Sequence, residues 1–165
     1  IKVYNQLKAD FDLPQLDILL HKKIPMGAGL GGGSSDAAFM MRILNEEYQL
    51  GMNNSEMKKR VSKLGADCAF FIDPHPAYAT GIGDIFSPIT LSLKKWVLVL
   101  VKPQTSVSTQ EAYSQIVPQK TSVDLREALA LPVEEWKNVV CNDFEKSVFS
   151  THPEIEAIKE TLYDM

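Results

Sequence analysis

Five glycines occur within the seven residues from Gly27 to Gly33, and two serines follow them directly. Glycine accepts positive φ angles and has no Cβ to hold a ligand away from the main chain, so such a run can turn several N–H groups toward one point. The residues after Ser35 have helical composition, and the unpaired N–H groups at the start of a helix attract anions. The segment predicts a backbone cradle for phosphate, with Ser34 and Ser35 as N-cap residues.

Other nucleotide-binding loops share this glycine content but differ in context. A Walker A loop ends in Gly-Lys-Ser/Thr, and no lysine lies between Pro25 and Met41. Residues 27–32 match the dinucleotide pattern G-x-G-x-x-G, but a capping signal near Asn54 starts a second helix where a Rossmann unit requires a strand. A protein-kinase glycine loop joins two antiparallel strands, and the helix predicted after Ser35 argues against that arrangement.

The remaining pattern, Pro-x-x-x-Gly-Leu-Gly-Gly-Gly-Ser-Ser-x-Ala, begins at Pro25 and resembles the phosphate-binding motif of the GHMP small-molecule kinases. The segments 64–71, 79–84 and 142–145 resemble, in the same order, segments of one branch of that family, which acts on a cytidyl-linked methylerythritol. The resemblance spans nearly the whole chain, so its implications for fold and activity apply to most of the sequence.

For the fold, the resemblance implies an α+β class and the two-domain architecture of GHMP kinases. A ribosomal protein S5 domain 2-like N-terminal domain would take residues 1–81, and a ferredoxin-like C-terminal domain would take residues 82–165, both incomplete here. The apolar spacing from Ile1 is that of a helix already under way. We expect flanking parts that carry a catalytic lysine, further substrate-binding residues and a third glycine-rich motif.

For the activity, the resemblance implies ATP- and Mg²⁺-dependent phosphorylation of the 2-hydroxyl of 4-diphosphocytidyl-2-C-methyl-D-erythritol, in non-mevalonate isoprenoid precursor biosynthesis. The sequence itself predicts no residues as metal ligands. The residues expected at the nucleotide are Lys22, Pro25, Gly27, Gly29, Leu30, Gly31, Gly32, Gly33, Ser34 and Ser35.

Asp67 is the residue expected to act on the acceptor. It stands in Gly-Ala-Asp before an apolar stretch, where burial would raise its basicity. In the family the matching aspartate orients or deprotonates the attacking alcohol, so Asp67 is both a catalytic and a substrate-binding candidate. From the residues alone, Asp67 could instead cap a helix that begins near Cys68.

Two charged residues flank the glycine run. Lys22 either lies near the nucleotide, as the family suggests, or is an exposed lysine at the end of a strand. Asp36 suits the positive end of the helix dipole, but it would repel a phosphate if it faced inward, so we expect it to point away.

The cytidine would be bound by Thr109 and Tyr113, which the family resemblance of residues 107–113 assigns to that role. Tyr113 could stack on the base while Thr109 bonds to its polar edge. The alternative is that Tyr113 is an ordinary core-facing residue of a helix.

Hydrophobic periodicity and turn residues predict the elements that position these side chains. Strands are expected at 16–22, 77–80 and 85–89, and a buried central strand at 96–101. Helices are expected to about residue 11 and at 34–50, 55–64, 109–116, 122–130, 138–149 and 153–162.

Composition limits the function classes. The chain has 165 residues, 45% of them hydrophobic, and a net charge of −4 with its 17 Lys and Arg scattered, which argues against a nucleic-acid partner. Its longest apolar run is too short to cross a bilayer, and two cysteines make no disulfide framework, so we expect a cytoplasmic protein. The sequence does not fix an oligomeric state. Another GHMP kinase, acting on a sugar, homoserine or a mevalonate-type alcohol, and a non-catalytic nucleotide-binding module remain alternatives.

Overall fold

The computed structural model describes residues 1–24, 27–119 and 123–165 and divides the chain into two compact units, Ile1–Thr90 and Leu91–Met165. The helices and the small sheet confirm the predicted α+β class. The first unit contains α1 (Lys2–Lys8), α2 (Gly32–Glu47), α3 (Asn54–Val61), a 3-10 helix (Ala66–Ile72), β1 (Ala77–Thr80) and β2 (Ile85–Pro88). The second contains α4 (Thr109–Ser114), α5 (Leu125–Ala128), α6 (Val133–Val139), α7 (Glu145–Thr151) and α8 (Pro153–Tyr163).

α2 is the central helix of the first unit. Its buried residues Ala38, Met41 and Leu44 recur every three positions, so they share one face of the helix. That face packs against α1, α3 and the 3-10 helix. The same core takes in Val3, Leu7, Leu13, Met52, Met57, Val61, Cys68 and Ile72. The glycine run therefore enters a helix that the core already holds in place.

α3 begins at a reciprocal capping box. The Asn53 side chain accepts a hydrogen bond from the Glu56 N–H at 3.0 Å, and the Glu56 carboxylate accepts one from the Asn53 N–H at 2.9 Å. Just before it, the Asn45 side chain bonds to both the N–H and the carbonyl of Met52, each at 3.0 Å. These polar contacts fix the connection between α2 and α3. The observed N-cap, Asn53, is one residue before Asn54, where the sequence predicted the capping signal.

β1 and β2 form an antiparallel hairpin in which Ala77 lies opposite Pro88 and Thr80 opposite Ile85. Both strands were predicted, and the structure confirms them. The turn between them contains Gly81 and Gly83 with φ angles of +69° and +91°, a region that favours glycine.

Two other predicted strands, at 16–22 and 96–101, do not form. In the part of the chain that the structure describes, β1 and β2 make the only sheet, so neither segment has a neighbour to complete its hydrogen bonds. Both segments are instead exposed: Leu19 is 98% and Val97 89% accessible to solvent. The prediction that 96–101 is a buried central strand is wrong for this reason.

α8 (Pro153–Tyr163) confirms the helix predicted over 153–162, whereas the other predicted helices of the second unit are shorter or divided. The helix expected over 138–149 is two helices, because Val140 has an extended backbone and ends α6 five residues before α7 begins. The helix expected over 122–130 is reduced to α5, and its predicted start at Ser122 lies outside the described residues. Among the helices of the described ranges, none has the length and apolar character that a membrane crossing requires.

Candidate active site

The glycine run turns into α2 through left-handed residues. Gly27, Gly29 and Gly31 have φ angles of +68°, +68° and +65°, and Gly31 is the N-cap of the helix. The first backbone hydrogen bond of α2 runs from the Ser35 N–H to the Gly31 carbonyl, at 2.8 Å. The prediction that Ser34 and Ser35 cap the helix is therefore wrong, because a left-handed glycine starts the helix before either serine is reached.

Gly32, Gly33 and Ser34 form the first turn of α2, and their N–H groups have no partner within the helix. The positive end of the helix dipole adds to these donors, so the turn favours a bound anion. The structure thus places the unpaired N–H groups where the sequence expected a phosphate cradle, in a helix that begins two residues earlier.

A cavity of about 700 Å³ opens beside this turn. Gly27, Gly29, Leu30, Gly31, Gly32, Gly33 and Ser34 line it, together with apolar side chains that include Phe39 and Ile43. Ser35 does not line it, and Pro25 lies outside the described residues. Most of the residues predicted to contact a nucleotide therefore share one concave surface.

Lys22 lies against the first turn of α2. Its Nζ forms an ion pair with the Asp36 carboxylate at 2.5 Å and would be 3.4 Å from a Cβ added to Gly32. Asp36 itself lines the large cavity, so the prediction that it points away from the loop is not met. The carboxylate balances the charge of Lys22, and the ammonium group keeps further N–H donors for another oxygen ligand.

Asp67 lies in the first turn of the 3-10 helix and is exposed. Asp67 is therefore not in the buried surroundings that its apolar sequence context predicted, which corrects that part of the prediction. Its carboxylate accepts no hydrogen bond from any described residue, and the N-cap of the 3-10 helix is Gly65, which has no side chain to cap with. The alternative reading of Asp67 as a capping residue is therefore not supported, and its oxygens are available to a ligand.

A second cavity, of about 290 Å³, brings the glycine run and Asp67 together. Leu30, Gly31 and Asp67 all line it, and a Cβ added to Gly83 would be 3.8 Å from Asp67 Oδ1. The lining also includes three aromatic residues, Phe70, Phe71 and Phe86, and the two alanines Ala77 and Ala79 of β1. Sequence reasoning named none of these rings nor Gly83 as site residues, although the two glycines of the 79–84 segment were a signal that backbone approaches a site there.

Thr109 and Tyr113 belong to the second unit. Both are exposed on α4 and lie four residues apart, so they share one face of that helix. The Tyr113 ring is 62% exposed and makes an edge contact with the Phe144 ring, with centroids 4.9 Å apart. Tyr113 is thus not the core-facing residue of the alternative interpretation.

α4 is tied to the start of α8 by polar contacts. Glu111 on α4 bonds to His152 Nε2 at 2.7 Å, and the Thr105 hydroxyl before α4 donates to Glu154 at 2.7 Å. These contacts orient the helix face that presents Thr109 and Tyr113.

Comparison with known proteins points to one family. The GHMP kinases N terminal domain matches residues 1–74. Proteins named 4-diphosphocytidyl-2-C-methyl-D-erythritol kinase match 99% of the chain, with 54% identity in Bacteroides fragilis and 51% in Parabacteroides distasonis, and the chain covers 60% of each. The protein of that name from Cytophaga hutchinsonii is 43% identical over 99% of the chain and 61% of its own length. The chain thus spans about 60% of the length of these curated relatives, and it is similar to members of the GHMP kinase family.

Proposed function

We propose that the chain is part of an ATP-dependent kinase that phosphorylates the 2-hydroxyl of 4-diphosphocytidyl-2-C-methyl-D-erythritol. The relatives that carry the name of this kinase support the substrate. The observation that supports the chemistry is the small cavity in which Gly31 and Asp67 meet. A phosphate-binding helix start and an unpaired carboxylate on one concave surface are the two parts that phosphoryl transfer to an alcohol needs.

The nucleotide phosphates would bind at the start of α2. The N–H groups of Gly32, Gly33 and Ser34 donate to phosphate oxygens, and the nearby Lys22 ammonium supplies a positive charge. Lys22 would share its donors between Asp36 and a phosphate oxygen. The rest of the nucleotide fits the large cavity, whose apolar walls include Leu30 and Phe39.

The described residues contain no group of three or more His, Cys, Asp or Glu side chains that could hold a metal ion by themselves. This fits Mg²⁺, which is commonly bound through substrate phosphates, water and one or two protein oxygens rather than by an all-protein cage. Ser34 lines the large cavity, and its hydroxyl is the protein oxygen that we assign to Mg²⁺. When bound, Mg²⁺ neutralises charge on the phosphate oxygens.

Asp67 would act on the acceptor hydroxyl. Its carboxylate has no hydrogen-bond partner among the described residues and borders the space beside Gly83. It can accept the proton of an alcohol that attacks the terminal phosphate, or orient that alcohol by a hydrogen bond. Since Asp67 is exposed, the proposed role rests on the position of its carboxylate in the cavity that Gly31 also lines.

The cytidine would be bound by the exposed face of α4. Tyr113 offers a ring for stacking and Thr109 a hydroxyl for the polar edge of the base. We also propose the finer architecture that the family implies, with a ribosomal protein S5 domain 2-like domain over 1–81 and a ferredoxin-like domain over 82–165.

Phosphoryl transfer by the full-length protein tests the proposal. Mg-ATP would be supplied with 4-diphosphocytidyl-2-C-methyl-D-erythritol and, in parallel, with mevalonate, homoserine and galactose. Turnover of the cytidyl substrate alone is expected. Turnover of another alcohol would overturn the substrate and the roles of Thr109 and Tyr113 but keep the kinase; ADP binding without any turnover would favour a non-catalytic nucleotide-binding module.

A further inference from the structure

The ring of Phe71 lies directly against Gly31. A Cβ added to Gly31 would be 2.8 Å from Cζ and 2.9 Å from Cε2 of this ring, well inside the separation of carbon atoms in contact. Gly31 is also the left-handed residue at which the loop ends and α2 begins. The ring therefore packs on the residue that sets the direction of the first N–H groups of the helix.

The position of the Phe71 ring is itself determined by the 3-10 helix. Phe71 is partly buried against the core of the first unit, and its ring makes an edge-to-face contact with Phe70, with centroids 5.2 Å apart and an interplanar angle of 82°. Phe70 in turn lies 6.1 Å from Phe86 on β2. Asp67 is on the same 3-10 helix, four residues before Phe71. One short element thus carries both the candidate base and the ring that touches the loop.

We propose that Phe71 is a positioning residue for phosphoryl transfer: it holds Gly31, and with it the N–H groups at the start of α2, at a fixed place relative to Asp67. The inference rests on the proposed function, because it assigns Phe71 a role only if phosphate binds at α2 and the acceptor at Asp67. We assign Phe71 this role through its contact with Gly31, and the residue also lines the small cavity. The contact requires glycine at position 31, because a residue with a Cβ could not lie so close to the ring.

The test compares Phe71→Leu with Phe11→Leu in the full-length protein. Both substitutions remove an aromatic ring packed on the same core, but Phe11 lines neither cavity. For Phe71→Leu we expect the dissociation constant of ADP to rise about tenfold and kcat to fall about 10²-fold, since displacements near 1 Å cost this much in positioned reactions. Phe11→Leu should lower thermal stability to a similar extent, yet leave ADP binding within about twofold of wild type.

Phe71→Tyr keeps the test decisive if the leucine variant folds poorly. It retains the volume of the ring in the core but adds a hydroxyl to Cζ, the ring atom nearest to Gly31. We expect weaker ADP binding with an unfolding midpoint close to that of wild type.

A double-mutant cycle of Gly31→Ala and Phe71→Leu, read out by ADP binding, isolates the contact. Gly31→Ala forces a Cβ into the ring, and removal of the ring relieves that clash, so the double variant should bind ADP about fivefold more tightly than the two single losses combined predict. Losses that simply multiply, or Phe71 variants that bind ADP and turn over like Phe11→Leu, would overturn this inference while leaving the kinase intact. Failure of the wild-type protein to bind ADP would instead overturn the proposed function, and the inference with it.

Discussion

The two regions to which we assign binding roles, one in each unit, are held in place by different forces. In the first unit, the glycine run and Asp67 sit on elements whose inner faces share one apolar core. In the second unit, α4 has no buried residue, and the contacts that it makes include the Glu111–His152 bond and the edge of the Phe144 ring. Apolar packing thus supports the phosphate and acceptor chemistry, whereas surface contacts support the face proposed to bind the cytidine.

This difference matches what each part would have to do. Phosphoryl transfer needs the reacting groups held in line to within a fraction of an ångström, and a close-packed core is the environment that resists displacement. Stacking of an aromatic ring on a base tolerates a wider range of positions. Substitutions in the first unit should therefore affect turnover and folding strongly, and substitutions on α4 should affect mainly the affinity for the acceptor.

The largest expected effect is that of Asp67→Asn. The amide has nearly the shape of the carboxylate but cannot take the proton, so kcat should fall by about 10²–10⁴-fold while the dissociation constant of ADP stays unchanged. Single-turnover kinetics in the full-length protein measure the first quantity and equilibrium titration the second. The exposed Asp12 supplies the matched control, since Asp12→Asn should leave both within about twofold. Normal turnover of Asp67→Asn would contradict the expectation that substitutions in the first unit affect turnover more strongly than substitutions on α4.

Next in size is the loss of stability from Met41→Ala. Met41 is fully buried on α2 at 0% exposure, and its truncation should lower the free energy of unfolding by about 2–5 kcal/mol. Ile43→Ala, two residues along the same helix, removes a side chain that is 56% exposed and should cost far less. Urea unfolding of the full-length variants measures both. Equal losses at the two positions would contradict the claim that one face of α2 holds the loop.

A smaller effect is expected for Tyr113→Ala. If the ring stacks on cytosine, the KM for the cytidyl acceptor should rise about tenfold, within the usual range for loss of a base–aromatic stack. The KM for ATP should not change, since Tyr113 lies outside both cavities of the first unit. Tyr113→Phe keeps the ring and should retain the KM of wild type for the acceptor. A change in the KM for ATP would show that α4 also affects nucleotide binding.

The smallest effect concerns the surface of the second unit. The side chain of Arg126 donates two hydrogen bonds to the Asp124 carboxylate and lowers the pKa of Asp124 from its usual 3.8 to about 2. Because the folded-state pKa is the lower one, the stabilisation is present above about pH 4 and is lost as the pH falls toward 2. NMR titration of the carboxyl carbon measures the pKa. In Arg126→Ala the pKa of Asp124 should move back toward 3.8.

How much of the structure was predictable depended on whether the partner of each segment is close in sequence. The β1–β2 hairpin was predicted because its glycine turn brings two adjacent segments together. The apolar run 96–101 has the same strand-like composition, but no neighbouring segment of the described chain pairs with it. Strand propensity alone does not supply the missing hydrogen-bond partner.

The same limit applies to the site. The glycine pattern predicted the cradle, since positive φ is a local property of residues such as Gly31. The N-cap of α2 was predicted at Ser34 or Ser35 instead of Gly31, because serine is the commoner N-cap residue. Nothing in the sequence indicates that the helix already begins after Gly31. The exposure of Asp67 and the approach of Phe71 to Gly31 are tertiary properties, which depend on how the 3-10 helix packs against α2.

The exposed run 96–101 also bears on how the protein behaves at high concentration. Six consecutive exposed apolar residues with strand propensity, which belong to no sheet of the described chain, are a template for pairing between molecules. Lys94 and Lys95 precede this run, and Lys102 and Pro103 follow it. Positive charges and a proline at the ends of an apolar strand discourage the growth of intermolecular sheets. We therefore expect these four flanking residues to reduce aggregation through the run 96–101.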